Sequence, residues 1–255
     1  MVLKVLILGG TSEAFALTGR LTGDPRLELT YSLAGRTAKP RLPQVPTRIG
    51  GFGGIEGLTA FLLQHEINVL IDATHPFAEQ ISANAQAAAA MASVPLIALE
   101  RAAWQPMAGD DWQLVPNLTA AAAALPSTSE RIFLTVGRQS LLPFAAKPHH
   151  HYVIRVIDPP DIPPEMQNVD ILKGRGPFNV DHETSLLREH RIVRLVSKNS
   201  GGKAGSAKLV AARSLRLPVL LVDRPVHPGV NTLESVGAVV NRLAHYHASL
   251  ANRSE

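Results

Sequence analysis

The chain opens with a strand that leads through two glycines into a helix, and this arrangement constrains the fold more than any other stretch. Val5–Leu8 is an uninterrupted aliphatic run, which is typical of a strand buried on both faces. Gly9 and Gly10 allow a tight turn, and Thr11 or Ser12 can cap the helix that follows. A strand, a glycine turn and a helix N-terminus in this order direct several backbone N–H groups toward one point, where a phosphate can bind.

This turn departs from the dinucleotide-binding pattern G-x-G-x-x-G/A at one position. The first glycine, Gly9, and a small last residue, Ala14, are present, but Thr11 replaces the middle glycine. That glycine normally lets a pyrophosphate approach the backbone, whereas a hydroxyl at this position could donate to a phosphate oxygen. Glu13 falls in the first turn of the helix. By itself the turn fits an ordinary strand-to-helix connection as well as a nucleotide site.

The end of the second strand, Leu27–Ala34, favours the nucleotide interpretation. An Asp or Glu at this position takes the ribose hydroxyls of NAD, whereas an Arg suits the 2′-phosphate of NADP. Arg36 stands here, followed by Thr37 and Lys39. Its guanidinium is permanently charged and can bind phosphate through two parallel hydrogen bonds. The alternative is a solvated turn arginine, but together with the opening turn Arg36 favours an NADP-type cofactor.

A third candidate region follows the predicted strand Val69–Ile71. Asp72, Thr74 and His75 come directly after it, and open α/β sheets bind ligands at the carboxyl ends of their strands. The sequence predicts a helix over Pro76–Ser93, with Thr74 as its cap. The alternative is that Asp72 and Thr74 only cap this helix while His75 is packed.

The order of elements predicts an α/β fold with two successive α/β domains and mostly parallel sheets. Strands and helices alternate as far as Leu99, and the periodicity lapses over Ala108–Asp111. We therefore predict an N-terminal dinucleotide-binding domain over residues 1–110. Residues 111–255 are predicted to form a C-terminal α/β domain.

Three turns of the second domain carry basic or hydroxyl side chains after predicted strands. They are Gly137-Arg138, Gly174-Arg175-Gly176 and Ser197–Lys203. The last is predicted to open a helix and to form an anion cradle, although its spacing is not that of a P-loop. Asp181 is predicted to cap another helix. The histidines 149–151 are predicted to lie in solvent, so no metal site is expected.

Composition excludes several classes of protein. The 255 residues carry a net charge of +4, from 25 basic and 21 acidic side chains, which is too mild to indicate nucleic-acid binding. No stretch approaches the ~20 apolar residues of a membrane span. The absence of cysteine excludes disulfides, thiolate metal sites and cysteine nucleophiles, and it fits the cytoplasm. The N-terminus enters a strand pattern at once, which predicts mature structure rather than a signal peptide.

Six motifs, which span nearly the whole chain, carry a resemblance to a known family. They are ILGGTSEA at 7–14, AGR at 34–36, DATHPFA at 72–78, KGRGPF at 173–178, SKNSGG at 197–202 and AARSLRLPVLLVDRP at 211–225. The chain resembles the precorrin-6A reductases of the cobalamin pathway, including their cobalt-precorrin counterparts. DATHPFA and KNSGG are distinctive together, whereas the first motif alone is weak.

The resemblance implies a cytoplasmic oxidoreductase that acts on a CH–CH bond. It also implies two Rossmann-like domains with mostly parallel sheets and an inter-domain cleft, in which residues 111–255 complete the cofactor and substrate site. The enzyme would use NADPH, with NADH as an alternative, to reduce one double bond of the precorrin-6A macrocycle to precorrin-6B. The expected cofactor-binding residues are Gly9, Gly10, Thr11, Ser12, Glu13, Arg36, Thr37, Thr74, Ser200, Gly201 and Gly202. His75 and Lys198 are expected near the reacting atoms as candidate proton donors, with water or the macrocycle's own nitrogens as alternatives. The carboxylates of the tetrapyrrole are expected to meet Arg138, Arg175, Lys198 and Asn199.

Other functions remain open at this point. An NADP-dependent reductase of a smaller carbonyl compound is disfavoured because no Tyr-x-x-x-Lys pair is present. A non-catalytic NADP(H)-sensing protein would bind NADPH without turnover. A corrin-ring methyltransferase is disfavoured by Arg36, because the ribose of S-adenosylmethionine suits a carboxylate. The sequence leaves open whether the substrate holds cobalt, which face receives hydride, the oligomeric state, and whether other cobalamin-pathway enzymes are partners.

Overall fold

The structure is a computed structural model that describes residues 2–35, 40–225 and 229–251, without the side chains of residues 250 and 251. The chain divides into two compact units. The first contains Met1–Ala102 together with Pro225–Glu255, and the second contains Ala103–Arg224. Each unit has one six-stranded sheet whose neighbouring strands all run parallel, which confirms the predicted α/β class with two Rossmann-like sheets.

The elements are numbered in chain order. The strands are β1 (Leu3–Leu8), β2 (Leu27–Leu33), β3 (Thr47–Ile49), β4 (Val69–Asp72), β5 (Leu96–Leu99), β6 (Trp112–Val115), β7 (Arg131–Thr135), β8 (His151–Val156), β9 (Val169–Lys173), β10 (Arg194–Lys198), β11 (Val219–Val222) and β12 (Asn231–Leu233). The helices are α1 (Ser12–Leu21), α2 (Gly54–Gln64), α3 (Glu79–Ala92), α4 (Leu118–Ala123), α5 (Val180–Glu189), α6 (Ala207–Ser214) and α7 (Val236–Ala251), with a 3₁₀ turn over Leu142–Ala146.

The first sheet has the strand order β12-β5-β4-β1-β2-β3. Its central strands are aliphatic because both faces are covered. On one face, Ile7 packs in a cluster with residues of α1 and α7, and on the other, Leu6 packs with residues of α2 and α3. From β1, the strands β2 and β3 follow toward one edge of the sheet, whereas β4 and β5 follow toward the other. The winding therefore reverses between β1 and β4, and parallel sheets bind ligands beside such a reversal.

The second sheet repeats this plan with the order β6-β11-β10-β7-β8-β9, and its winding reverses between β7 and β10. Phe133 and Leu221 of this sheet pack with Leu187 of α5 and Leu209 of α6 in one buried cluster. The carboxyl ends of β7, β9 and β10 therefore meet at one edge, where basic side chains were predicted.

The division of the chain differs from the predicted one at its C-terminal end. Strand β5 is followed by β6, which pairs with β11, whereas β11 is followed by β12, which pairs with β5. Residues 225–255 thus belong to the first unit rather than to the second. The predicted boundary at 110 lies near the first crossing of the chain. The return crossing was missed because β12 has only three residues and gives almost no pattern.

Three helices begin at residues other than those predicted. Helix α3 begins at Glu79 rather than Pro76, and Thr74 bonds to Asp72 instead of capping it. Asn179, not Asp181, caps α5, because its Oδ1 accepts from the His182 N–H at 2.7 Å. Helix α6 begins only at residue 207, so the turn 197–203 does not stand at a helix N-terminus. Within the described ranges, no helix is long and apolar enough to cross a membrane.

The histidine tract is only partly solvated: His149 is exposed, as predicted, whereas His150 is buried and His151 is half-buried. His150 is fully buried, and its Nδ1 accepts from the Glu130 N–H at 3.1 Å. Burial lowers the pKa of His150 below its usual value, and the neighbouring His149 acts in the same direction. His151 instead bonds to Asp170 at 2.8 Å. His151 is the first residue of β8, whereas His150 lies in the bend before this strand.

Candidate functional site

The first glycine turn is shaped by a tyrosine from the neighbouring strand. A Cβ on Gly9 would lie only 2.1 Å from the ring of Tyr31, so this position accepts no side chain without displacing the tyrosine. Gly10 has φ of 115°, in the region that favours glycine, and its N–H donates to the Tyr31 hydroxyl at 3.1 Å. Tyr31 is 1% exposed, and burial raises the pKa of its hydroxyl. Gly9 therefore has a packing role that the sequence did not reveal.

Thr11 caps α1 and also joins the carboxyl ends of β1 and β4. Its hydroxyl accepts from the Ala14 N–H at 3.0 Å and donates to the Ala73 carbonyl at 2.7 Å. Because the hydroxyl hydrogen is used in this way, the expectation that it donates to a phosphate oxygen is not met in this structure. What Thr11 offers a ligand is its backbone at the helix N-terminus.

A carboxylate lies in the first turn of α1, and an arginine balances it. Glu13 Oε2 accepts from Ser12 Oγ at 3.0 Å and pairs with Arg101 Nη1 at 2.5 Å. Burial acts to raise the pKa of Glu13, but the Arg101 guanidinium and the hydrogen bonds outweigh it and hold the pKa below its usual range. Without Arg101, this negative charge would oppose an anion at the helix N-terminus.

The end of β4 carries a compact polar network. Asp72 is 8% exposed, and its Oδ1 accepts from both the N–H and the hydroxyl of Thr74, at 3.0 and 2.6 Å. Ser82 Oγ lies 3.4 Å from the same hydroxyl. His75 Nδ1 accepts from the Phe77 N–H at 3.2 Å, which places the ring hydrogen of a neutral imidazole on Nε2.

A groove follows the carboxyl edge of the first sheet. A pocket of about 30 Å³ is lined by Asp72, Thr74, His75, Ser82, Glu100 and Thr232, among others. An adjoining depression shares Thr74 and Glu100 with this pocket and extends to Thr11, Glu13 and Arg101. Four predicted residues, Thr11, Glu13, Thr74 and His75, thus line one groove beside the reversal of winding between β1 and β4.

In the second unit, a lysine lies beside the reversal of winding between β7 and β10. Lys198 ends β10, and its Nζ donates to Ser140 Oγ, in the connection after β7, at 2.8 Å. Arg138 follows β7 and Arg175 follows β9, and both are exposed. The three predicted cations therefore belong to one edge of the second sheet.

The loop after Lys198 is wrapped around a tryptophan. Asn199 is 3% exposed, its Oδ1 accepts from the Trp104 N–H at 2.8 Å, and its Nδ2 donates to the Trp104 carbonyl at 3.2 Å. Trp104 Nε1 donates to the Gly202 carbonyl at 2.7 Å. Gly201 and Gly202 have φ of 66° and 72°. The amide of Asn199, predicted to bind substrate, fixes the shape of this loop.

Arg36 and Thr37, predicted to bind the 2′-phosphate, lie outside the described residues. Of the residues that shape the site, sequence reasoning missed Tyr31, Arg101, Trp104 and Ser140. Trp104 gave a weak signal, as one of two tryptophans in the chain and close to the end of β5. The others gave none, because each acts on a residue distant in sequence.

Comparison with known proteins assigns the family. The sequence profile described as precorrin-6x reductase CbiJ/CobK matches residues 4–244, nearly the whole chain. This chain belongs to the precorrin-6x reductase family. It is therefore an oxidoreductase, as the resemblance implied.

Relatives and a solved structure extend this match. A precorrin-6A reductase of Rhodobacter capsulatus is 48% identical over 246 residues, covering 96% of this chain and 98% of that protein. A cobalt-precorrin-6A reductase of Priestia megaterium is 30% identical, covering 87% and 90%. The structure of a CobK precorrin-6A reductase superimposes with a TM-score of 0.91 at 47% identity, covering 96% and 97%. The two-sheet fold is thus shared with the precorrin-6x reductase family.

Proposed function

We propose that this protein uses NADPH to reduce one double bond of precorrin-6A, giving precorrin-6B and NADP⁺. The reaction is that of the family in cobalamin biosynthesis, and the observation that carries it is the family match over residues 4–244. Bound NADPH would supply the hydride, and one proton completes the reduction. The protein orients the two reactants, excludes water and provides or admits the proton.

The cofactor assignment rests on the groove of the first unit. Its strand order places the first strand-to-helix turn beside the reversal of winding, where dinucleotides bind in sheets of this kind. The backbone of residues 9–13 would face the pyrophosphate, with Arg101 balancing the carboxylate of Glu13. Thr74 lies in the same groove. Arg36 and Thr37 would bind the 2′-phosphate, and Ser200, Gly201 and Gly202, in the loop after β10, would also contact the cofactor.

His75 is the better placed of the two proposed proton donors. Its Nδ1 accepts from a backbone N–H, so Nε2 carries the hydrogen, and the ring lines the groove. A protonated His75 can pass one proton to the atom of the double bond that does not receive the hydride, or to a ring nitrogen, and is left as the neutral imidazole. Lys198 is the alternative, with Ser140 holding its ammonium group at the edge of the second sheet.

Charge supports the assignment of the substrate. A precorrin carries several acetate and propionate groups, and Arg138, Arg175 and Lys198 all belong to one edge of the second sheet. Asn199 would contribute by shaping the loop that presents its neighbours. The precorrin-6A reductase of Rhodobacter capsulatus is more similar to this chain than the cobalt-precorrin enzyme of Priestia megaterium, at 48% against 30% identity, which favours the metal-free substrate. We place the reaction in the cytoplasm.

Anaerobic incubation with NADPH and precorrin-6A tests this function. We expect the nicotinamide absorbance to fall while the macrocycle bands change, in equal molar amounts. Parallel reactions with NADH and with cobalt-precorrin-6A should be slower. NADPH binding without turnover would favour the sensing alternative, and turnover of small carbonyl compounds in place of precorrin-6A would favour the other reductase.

A further inference from the structure

The turn after β9 is folded around an aromatic ring of its own. Phe178 lies at the end of the segment 173–178, and its ring folds back against the two glycines of that segment. A Cβ built on Gly174 would lie 3.3 Å from this ring, and one built on Gly176 would lie 3.4 Å from it. Larger residues would push the ring away. The spacing of the motif KGRGPF therefore follows from the packing of Phe178, and Arg175 stands between the two glycines.

A buried arginine lies over the face of this ring. The Arg155 guanidinium lies 3.7 Å from the centroid of Phe178 and 5.0 Å from that of Phe133. Its Nη1 donates to Glu183 Oε1 on α5, with side-chain exposures of 8% for the arginine and 0% for the glutamate. Strand β8, the turn after β9 and helix α5 are thus joined through one guanidinium.

Stability alone does not account for this arrangement. Removing two charges from water is costly, and a well-packed apolar pair is often as stable as a buried ion pair or more so. Glu183 Oε2 has no hydrogen-bond partner among the described residues, which adds to the cost. A guanidinium fixes the orientation of its neighbours in a way that an apolar residue does not. Its face stacks on an aromatic ring while its edge donates hydrogen bonds to a carboxylate.

We propose that Arg155, Glu183 and Phe178 are positioning residues that hold the turn 173–178 so that Arg175 meets a carboxylate of the substrate. This inference rests on the proposed function. It adds three residues that act through Arg175 and do not touch the macrocycle. Because the three residues act on the position of Arg175, we expect their loss to weaken substrate binding rather than to slow the hydride step.

Two variants remove the support in different ways. Phe178→Leu keeps the ion pair but removes the ring, and Arg155→Met combined with Glu183→Leu removes both charges together, which avoids leaving one of them buried and unpaired. In each variant, we expect KM for precorrin-6A to rise about tenfold. A rise of this size corresponds to losing part of one charge-assisted hydrogen bond, that between Arg175 and the substrate. The kcat and the KM for NADPH should stay within about twofold of the wild type, because no other binding residue is displaced.

A matched control lies at the opposite edge of the same sheet. Arg194, at the start of β10, pairs with Glu130 at 2.8 Å. Arg194→Met combined with Glu130→Leu removes a comparable pair far along the strands from the turn, and it should leave KM for precorrin-6A unchanged. A rise of KM in this control as large as in the Arg155 and Glu183 variant would overturn the inference.

A double-mutant cycle with Arg175→Ala decides whether the effect passes through that arginine. Arg175→Ala should raise KM for precorrin-6A, and adding Phe178→Leu should then change KM by less than about twofold. An unchanged KM in Phe178→Leu alone contradicts the proposal. The same factor with and without Arg175 also contradicts it, since the ring would then act by another route.

Amide hydrogen exchange separates this inference from the proposed function. If the wild type does not turn over precorrin-6A, the proposed function fails, and the support of the turn is then judged without substrate. Phe178→Leu should speed exchange over residues 173–178 at unchanged global stability. Unchanged exchange there would overturn the positioning role whatever the activity.

Discussion

Single side chains from neighbouring strands set the geometry of the groove in the first unit. Tyr31, on β2, occupies the space beside Gly9 and takes the N–H of Gly10. Arg101, after β5, pairs with the carboxylate of Glu13 in the first turn of α1. Both act on the opening glycine turn from distant positions in the sequence. The shape and the charge of that turn therefore depend on residues outside its own motif.

The contact between Gly9 and Tyr31 gives the first prediction. Gly9→Ala should lower the free energy of unfolding by about 1–3 kcal/mol, because the new Cβ displaces a ring packed in the core. Urea unfolding followed by circular dichroism measures this. Gly19→Ala is the matched control: Gly19 lies in α1 with nothing within 4 Å of a Cβ, so alanine should stabilise by about 0.5–1 kcal/mol. Equal effects at both positions would contradict the argument.

Arg36 carries the prediction about the coenzyme. Arg36→Ala should weaken NADPH binding about tenfold to a hundredfold and leave NADH binding nearly unchanged, because only NADPH has the 2′-phosphate. Fluorescence titration with both coenzymes measures this. Arg41→Ala is the control, since the Arg41 guanidinium lies 3.8 Å from the ring centroid of Phe15 and serves in packing. Equal losses for NADPH and NADH would remove Arg36 from the 2′-phosphate site.

At the scale of elements, a cluster of charged and histidine side chains around Asp170 joins the amino-terminal parts of β7, β8 and β9. Asp170 on β9 accepts from His151 at 2.8 Å and from Arg131 at 3.0 Å, and His190 lies 4.0 Å away. The hydrogen bond from His151 has the largest effect on the pKa of Asp170, and burial opposes it. With the added effects of the His151 charge and of Arg131, the pKa of Asp170 is held below its usual range. One carboxylate thus joins two strands and the connection after α5.

The lowered pKa of Asp170 predicts a pH dependence of stability. A carboxyl whose pKa is lower in the folded state stabilises the fold above its unfolded pKa of 3.8, and that contribution is lost as pH falls toward the folded value. Asp170→Asn should therefore be less stable than the wild type at pH 7, and the difference should be smaller at about pH 3, below the unfolded pKa. Urea unfolding at both pH values measures it. A difference of the same size at both values would show that charge is not its cause.

At the scale of the whole molecule, the chain leaves the first unit, forms the whole second unit and then returns to complete the first sheet. The first sheet receives β12 at its edge, and the same C-terminal segment supplies α7, whose Val239 and Leu243 are buried in the core of the first unit. The second unit is continuous from Ala103 to Arg224. Removing the C-terminal segment therefore takes a strand and a helix from the first unit and leaves the second unit complete.

Fragments test this division. Residues 103–224 alone should unfold cooperatively in urea, whereas residues 1–110 alone should not, because the face that α7 covers would be exposed. Joining 1–102 to 225–255 through a glycine-serine linker of about 15 residues should restore cooperative unfolding. Circular dichroism and the sharpness of the urea transition measure this. Cooperative unfolding of 1–110 by itself would contradict the assignment of 225–255 to the first unit.

The sequence by itself determined the fold class, most of the strands and the family. Aliphatic runs such as Val5–Leu8 identify buried parallel strands because burial on both faces leaves no room for polar residues. Motifs such as DATHPFA are contiguous, so their chemistry can be recognised without a structure. The same local signals misplaced the start of α3 and missed β12, since hydrogen bonds at Thr74 and strand pairing at β5 depend on contacts elsewhere.

Only the tertiary structure decided which residues hold the motifs in shape. Tyr31 fills the space at Gly9, Trp104 organises the loop of Asn199, and Arg155 supports the turn of Arg175 through Phe178. Each of these contacts joins residues that belong to different elements of the chain. Local propensity and spacing carry no information about such pairs, because the contact exists only after the sheets have formed and brought the two side chains together.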